Sequence, residues 1–220
     1  MRLRHHTVAL LAIFASGVLA FGQDVKVDND YVRITESTQA PGAALEISPR
    51  SNSRLLIAVG AGDVAMESSG NRAQQHWMAG HAIWIGAGET LLLKNAGQVP
   101  LQLAEVDLKA PASGGHAALN PKLDPIVIDP EHNIPVLDND QIRVFRSWRE
   151  PGATEKMHEH VGKGRIAVLL TGLDATVKTG DGAVAVSRAA QGDVLWSGPV
   201  VHATTNLSSQ KFEMLIVEVK

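Results

Sequence analysis

Apolar and polar residues alternate along most of this chain. The segments Val25–Asp28, Ile142–Arg146 and Ala175–Lys178 repeat with a period of two, which is the period of a half-buried β-strand. Continuous apolar runs at 55–59 and 166–170 are typical of strands that are buried on both faces. After residue 22, no segment combines a helical period with helix caps, and Gly, Asp and Asn turns separate the runs. The pattern predicts an all-β sandwich or barrel.

The chain after residue 22 also contains an internal repeat. The segment VDNDYVRI at 27–34 returns as LDNDQIRV at 137–144. Four further landmark pairs keep nearly the same spacing: Gly42 and Gly152, Gly62 and Gly172, Trp84 and Trp196, Asn95 and Asn206. Because the spacing drifts by no more than two residues, the repeat predicts two homologous domains that differ by small loop insertions.

The repeat sets the expected domain boundaries. We expect a first domain over 23–110, a connecting segment over 111–134 and a second domain over 135–220. The connecting segment is rich in Pro, Gly and Ala and has no helical periodicity. It is either a plain linker or a partly extended strap in which Ile126–Ile128 pairs or packs against one domain.

Residues 1–22 have the pattern of a cleaved signal peptide. Arg2 and Arg4 precede an apolar run from Val8 to Phe21, and small residues follow at a plausible cleavage site. An N-terminal membrane anchor is the alternative, but the run is shorter than the roughly 20 residues that span a bilayer. We therefore expect an exported protein, periplasmic or secreted, with no membrane span in its mature form.

Composition narrows the chemistry that the chain can perform. The sequence has no Cys, which excludes disulfides, thiolate metal sites and Cys nucleophiles. The formal charge of −3 is mixed along the chain, and no basic run is long enough to follow a phosphate backbone. We therefore expect a small-molecule ligand rather than nucleic acid, and any chemistry must come from His, carboxylates, hydroxyls or Arg.

The second repeat contains the residues that best suit a metal. His158 and His160 are two apart, so in a strand they project from the same face, whereas Glu159 projects from the other. His202 follows a second predicted strand and a turn. Neutral imidazoles grouped in this way suit a divalent ion.

These residues resemble the first motif of the cupin family. That motif has a Gly, five residues, His-x-His, three or four residues, Glu, six residues and a Gly. Gly152, His158, His160 and Gly172 match it at the right spacings. Arg165 stands where the family has its Glu.

The second cupin motif is also present in the second repeat. Gly192, His202 and Asn206 match it, with one residue deleted before the His and a Gly198-Pro199 turn in place of Pro-x-Gly. The resemblance covers both halves of the chain. It implies two tandem cupin, or jelly-roll-like, β-barrels after the signal peptide, which makes the chain similar to a bicupin.

The first repeat keeps the glycines of the pattern but not its ligands. Ser48 and Arg50 stand where the paired histidines would be, and Leu91 stands at the position of the third. We therefore expect the first barrel to be structural or to hold a degenerate pocket.

The resemblance implies a three-histidine metal site in the second barrel, made by His158, His160 and His202. Such a site holds Fe, Mn, Ni, Cu or Zn, and three histidines do not choose among them. Arg165 cannot be a ligand, because guanidinium stays protonated, so it either points away or holds the carboxylate of a substrate or of a neighbouring Glu.

Two further residues are candidates for the ligand site. Trp148, just before the turn at 150–152, is placed to shape the mouth of a pocket. Glu218 lies within an apolar run near the C-terminus and can replace the missing Glu, although an exposed position on an edge strand is the favoured alternative. We expect Glu155 and Glu159 to be exposed residues at the rim.

Three functions remain open from the sequence. The first is an exported cupin protein that binds a divalent metal together with a small anionic or oxygen-bearing ligand. The second is a metal-dependent enzyme of dioxygenase or isomerase type, in which Arg165 orients an anionic group. The third is a non-catalytic structural or ligand-binding barrel without metal, with a possible homodimer because cupin barrels commonly pair through their sheets.

Overall fold

The computed structural model describes residues 24–109 and 120–220. The predicted signal peptide lies outside the described residues. The first half contains nine strands: β1 (Asp24–Asp28), β2 (Val32–Gln39), β3 (Ala44–Ile47), β4 (Arg54–Ala58), β5 (Gly62–Ser68), β6 (Asn71–Trp77), β7 (Ala82–Ile85), β8 (Leu91–Asn95) and β9 (Leu101–Leu108). They form a five-stranded antiparallel sheet, ordered β1-β2-β9-β4-β7, and a four-stranded one, ordered β3-β8-β5-β6.

The second half repeats this architecture strand for strand. A one-turn helix, α1 (Pro125–Ile128), precedes β10 (Asn133–Asp138), β11 (Ile142–Arg149), β12 (His158–His160), β13 (Gly164–Leu169), β14 (Leu173–Thr179), β15 (Val184–Ala189), β16 (Val194–Ser197), β17 (Val200–Asn206) and β18 (Phe212–Val219). The sheet orders are β10-β11-β18-β13-β16 and β12-β17-β14-β15. Each strand of the second half corresponds to the strand of the first half whose number is lower by nine, and the sheet orders are equivalent. The all-β class and the paired barrels are therefore confirmed.

The two five-stranded sheets pack against each other through a shared core, which we call the inter-barrel core. Leu55 and Ile57 of β4 meet Ile166 and Val168 of β13 there. The alternate residue Leu56, with Ala58, faces the interior of the first barrel instead. This arrangement explains the continuous apolar runs, because one face of each strand is buried in its own barrel and the other against the second barrel.

The described part of the segment before β10, residues 120–132, packs against the second barrel. Asp124 caps α1 by accepting a hydrogen bond from the Ile126 amide at 3.0 Å, and Pro125 occupies the first helical turn. Ile126 packs on the interior of the second barrel. The sequence left this segment open as a plain linker or a partly extended strap in which 126–128 pairs or packs. The stretch does pack against one barrel, but as a single helical turn and not in an extended form, because an Asp-Pro cap favours such a turn locally.

This segment lies beside the strand that carries two of the candidate ligands. The Glu159 amide donates to the Leu123 carbonyl at 2.8 Å. The Lys156 ammonium donates to the Ile128 carbonyl, also at 2.8 Å. The connection to β12 is thus made by hydrogen bonds at both ends of α1. Within the described ranges, no helix has the length and apolarity needed to cross a membrane.

Candidate metal centre

Two neighbouring strands bring the three candidate histidines together. In the antiparallel pairing of β12 with β17, His158 lies directly opposite His202, and His160 follows two residues later on the same face. All three residues are buried, and one ring nitrogen of each lies within 4.8 Å of the others. The structure therefore groups the residues that the sequence singled out.

Hydrogen bonds at Nδ1 fix how two of these imidazoles are oriented. The Nδ1 atom of His158 lies 3.0 Å from the Lys156 carbonyl oxygen, and that of His160 lies 2.6 Å from Oε1 of Glu218. A carbonyl or carboxylate oxygen accepts, so each Nδ1 carries the proton and each Nε2 keeps a free lone pair. Those two Nε2 atoms are 3.0 Å apart. Two facing lone pairs repel each other unless a cation lies between them.

The third imidazole adds a nitrogen with no partner. Nε2 of His202 is buried and, among the described residues, makes no hydrogen bond. Its Nδ1 lies 3.4 Å from the Thr204 hydroxyl. A buried polar atom without a partner costs about 1–3 kcal/mol, and a metal bond removes that cost. The donor set therefore fits a divalent transition metal.

The electrostatic surroundings keep His160 and His202 in the neutral form that can coordinate a metal. Burial, together with the positive charge of Arg165, lowers the pKa of His202 to about 2. Burial and the same guanidinium hold the pKa of His160 well below its usual value. Both imidazoles are therefore neutral at pH 7, which is the state that coordinates metals.

Glu218 lies behind His160 and is buried, so the favoured interpretation of an exposed edge residue is wrong. It is on β18, in the middle of its sheet, and its side chain is only 4% exposed. Its Oε2 accepts from Nε of Arg143 at 2.8 Å, while its Oε1 accepts from His160. Arg143 also donates to Asp124 at 2.9 Å. The carboxylate orients His160 rather than facing the cavity.

Glu155 is likewise not an exposed rim residue. Its side chain is 7% exposed and forms part of the cavity wall. It accepts from the Thr204 amide at 3.1 Å and pairs with Arg149 at 3.2 Å. In the sequence, Glu155 stands out only because it is three residues before His158. That spacing alone does not indicate that its side chain points into the barrel.

A cavity of about 310 Å³ adjoins the three histidines. Arg165 lines it, and its Nε donates to the Ser197 hydroxyl at 3.0 Å. Apolar side chains such as Phe145 and Ile216 form much of the remaining wall. Burial lowers the pKa of Arg165, partly offset by attraction from carboxylates at longer range, but a guanidinium remains charged.

Trp148 is outside this cavity lining. Its ring centroid is 5.7 Å from that of His132, and the Lys211 ammonium lies 5.8 Å from the ring centre. The structure thus brings Arg165 to the histidines, places Glu218 behind one of them and leaves Trp148 on a different face of β11.

The corresponding region of the first barrel is filled by ion pairs. Arg54 of β4 is buried, pairs with Glu105 at 3.2 Å and donates to the Ser48 carbonyl. Arg50 binds both carboxylate oxygens of Asp107 at 2.7 Å. Within this described part of the chain, no group of His and acidic residues meets the geometry of a metal site.

Known proteins of similar architecture are found among solved structures. No family model matches the sequence, and no curated protein matches it either. Among solved structures, AerE from Microcystis aeruginosa is similar with a TM-score of 0.68 at 14% identity, over 90% of this chain and 91% of AerE.

Two other solved structures show the same likeness. A cupin 2 conserved barrel domain protein from Leptotrichia buccalis aligns with a TM-score of 0.56 at 12% identity, over 90% of this chain and 88% of that one. Oxalate decarboxylase from Bacillus subtilis aligns with a TM-score of 0.60 at 13% identity, over 86% and 69% of the two chains. At these identities the likeness concerns the fold. The chain has a cupin-type fold of two tandem β-barrels, as its motifs predicted.

Proposed function

We propose that the second barrel binds a divalent transition metal through His158, His160 and His202, together with a small oxygen-bearing or anionic ligand in the adjoining cavity. The observation that carries the proposal is the convergence of three buried imidazoles, one of which has an Nε2 with no partner. Fe, Mn, Ni, Cu and Zn all suit such a donor set. The similar oxalate decarboxylase has Mn(II) centres, which supports this choice of metals.

Each residue around the histidines has a defined part in this function. Glu218 holds the proton of His160 at Nδ1 and so presents Nε2 to the metal. The Lys156 carbonyl does the same for His158. The apolar part of the cavity wall lowers the local dielectric constant, which strengthens electrostatic interactions with a bound ligand.

A metal-dependent enzyme of dioxygenase or isomerase type is the second candidate. The observation that favours it is that the cavity is lined at once by the histidines, by Arg165 and by Glu155. Arg165 would orient an anionic group of a substrate, and the bound metal would supply Lewis-acid or redox chemistry. Turnover of phenolic, diketone or sugar substrates only by the metal-loaded protein supports this candidate, and turnover independent of metal contradicts it.

The metal site is tested with His202→Ala. This variant removes one imidazole without leaving a buried carboxylate unpaired, whereas removal of His160 would strand Glu218. His76→Ala is the matched control, since His76 is 58% exposed and pairs with Asp63 on the surface of the first barrel. The wild type and both variants are loaded with Co(II) and dialysed, and bound metal and thermal unfolding are measured.

The expected result is one metal per chain in the wild type and in the control, and loss of metal from His202→Ala. Ligand at 100 times its dissociation constant stabilises a folded protein by about 2.7 kcal/mol, so the loaded wild type should unfold at a higher temperature. Equal metal content in all three proteins would contradict the site. A dimer whose stability ignores metal and chelator in sedimentation would favour the metal-free structural barrel.

We further propose that the protein is exported, periplasmic or secreted, after removal of residues 1–22. The support is the basic, apolar and small-residue order of that segment. Expression of the full chain and N-terminal sequencing of the product checks this. A mature protein that begins near residue 21 or 23 is expected, and a product that still begins at Met1 contradicts export by cleavage.

A further inference from the structure

The two barrels carry an arginine at the same structural position. Arg54 pairs in register with Asp107 across β4 and β9, and Arg165 pairs with Glu218 across β13 and β18. Both side chains point into the interior of their own barrel, on the same strand face as Ala58 and Ala167. The first barrel therefore serves as an internal comparison for the role of Arg165.

In the first barrel this arginine is neutralised by the protein itself. Arg54 pairs with Glu105 at 3.2 Å and lies 3.9 Å from Asp107. Glu105 is opposite Leu56 in its sheet, and the residue in the matching position of the second barrel is Ile216, opposite Ala167. The acidic partner of the arginine is thus replaced by an apolar side chain.

Arg165 consequently has no acidic partner within the part of the chain that the structure describes. No carboxylate oxygen there lies within 4.0 Å of it, and its one side-chain hydrogen bond goes from Nε to Ser197. Both oxygens of Glu218 are engaged by Arg143 and His160. A cation that is partly withdrawn from water is unfavourable without an acidic partner, and this half-buried guanidinium lines a cavity.

With a divalent metal bound, the net charge of the groups around the cavity is balanced by one anion. Three guanidinium groups and four carboxylates form these pairs or border the cavity: Arg143, Arg149, Arg165, Asp124, Asp129, Glu155 and Glu218. Addition of a divalent metal leaves one positive charge in excess. One carboxylate ligand restores neutrality in a site where unbalanced charge is costly.

We propose that a small carboxylate enters the cavity, pairs with Arg165 and completes the metal centre, so that the ligand supplies the acidic group that the protein lacks at this position. This inference rests on the proposed metal function. It predicts that metal and carboxylate bind cooperatively, because each neutralises charge that opposes the other. By thermodynamic linkage, the carboxylate tightens metal binding by the same factor as the metal tightens carboxylate binding.

The test is a Co(II) titration of the full chain in the presence of glycolate or of glycolamide, its neutral analogue. We expect glycolate to tighten Co(II) binding about 10-fold, the size typical of coupled sites, and glycolamide to have no such effect. The titrations are corrected for Co(II) bound by free glycolate. This comparison uses the wild-type protein alone and needs no variant.

The variant Arg165→Gln tests whether the glycolate effect on Co(II) binding depends on the arginine or on the metal alone. The variant should bind Co(II) at least as tightly as the wild type, because a nearby positive charge is removed, but glycolate should no longer tighten binding. Arg165→Met, which also removes the charge, is the second variant if the glutamine variant does not fold. Arg188→Gln is the matched control, since Arg188 is 70% exposed and pairs with Asp174 on the surface.

The outcomes distinguish this inference from the metal function itself. An equal glycolate effect in the wild type and Arg165→Gln overturns the inference, because glycolate then binds the metal alone. Equal effects of glycolate and glycolamide overturn it as well. In both cases the Co(II) site stands. Absence of Co(II) binding in the wild type and in Arg165→Gln, with or without glycolate, overturns the proposed function instead.

Discussion

Arg143 holds together the ion pairs behind the three histidines, and its removal should destabilise the protein strongly. Its guanidinium joins Asp124 at 2.9 Å to Glu218 at 2.8 Å, and Glu218 in turn holds His160. In the variant Arg143→Met, an unbranched apolar side chain that extends as far as the Nε position replaces the charged group. Two carboxylates then remain in an environment where their side chains are 10% and 4% exposed.

The expected loss follows from that burial. Removal of one partner from a buried ion pair destabilises by about 3–5 kcal/mol, because the remaining charge has lost both its water and its partner. The repeat provides the matched control. Arg33 pairs with Asp107 in the register where Arg143 pairs with Glu218, but its side chain is 46% exposed and it binds Asp28 at the surface. Exposed pairs contribute about 0–1 kcal/mol.

Urea unfolding of the wild type, Arg143→Met and Arg33→Met measures the difference. At pH 7 we expect Arg143→Met to lose at least about 3 kcal/mol and Arg33→Met less than about 1 kcal/mol. The structure also predicts how the loss of stability in Arg143→Met changes with pH. Burial raises the pKa of Glu218 and the Arg143 charge opposes that rise, so the variant raises it further. Protonation then relieves the stranded charge, and the loss should be smaller at pH 5.

Equal losses in the two variants would refute the reasoning, since they share a register position and differ in burial and partners. A loss in Arg143→Met that grows between pH 7 and pH 5 would refute it as well. In that case the cost would not come from ionised Glu218 and Asp124. The free energy of unfolding of the whole chain is the relevant quantity, because the inter-barrel core couples the two halves.

Two further predictions concern stability, the first for the protein without metal and the second for the backbone at two glycines. Burial holds the pKa values of His160 and His202 below the value of about 6.5 in the unfolded chain. Below pH 6.5 the unfolded chain therefore takes up protons that the folded one refuses, and stability should fall by up to about 1.4 kcal/mol per pH unit for each histidine. Burial raises the pKa of Glu218, so this residue opposes part of the loss. If chelated protein keeps its full stability in urea between pH 7 and pH 5, the prediction is contradicted. Gly164→Ala should destabilise more than Gly198→Ala, because at Gly164 φ is 145° and a Cβ would lie 2.6 Å from a carbonyl oxygen of β16, whereas none lies within 4 Å at Gly198. Thermal unfolding checks this, and equal midpoints for the two variants would show that the turn at Gly164 adapts.

The fold was accessible from the sequence because two independent patterns agree. Alternation with a period of two indicated strands, and the repeat of residues 27–34 at 137–144 required two equivalent units. The structure adds why the runs at 55–59 and 166–170 lack alternation, namely that both faces of these strands are buried. It also corrects the connecting segment, where a local Asp-Pro cap outweighs the absence of any longer helical period.

The interior of the site was only partly accessible. His158 and His160 could be paired because residues two apart in a strand face the same way. Glu218 could not be placed in the same manner, since β18 is buried on both faces and a period of two does not say which face is the barrel interior. Its partner Arg143 is 75 residues away in sequence, and that contact depends on strand order.

Comparison of the two barrels indicates why the second one is built as it is. The first barrel pairs its buried Arg54 with Glu105 and folds around an apolar interior with no imidazole cluster among its described residues. The second barrel has the same strand order but keeps an unpaired Nε2 on His202 and an unpaired guanidinium on Arg165. These groups lower the stability of the unliganded fold, and the first barrel shows that the architecture does not need them. Under the proposed function, a cation at the imidazoles and an anion at Arg165 compensate this cost.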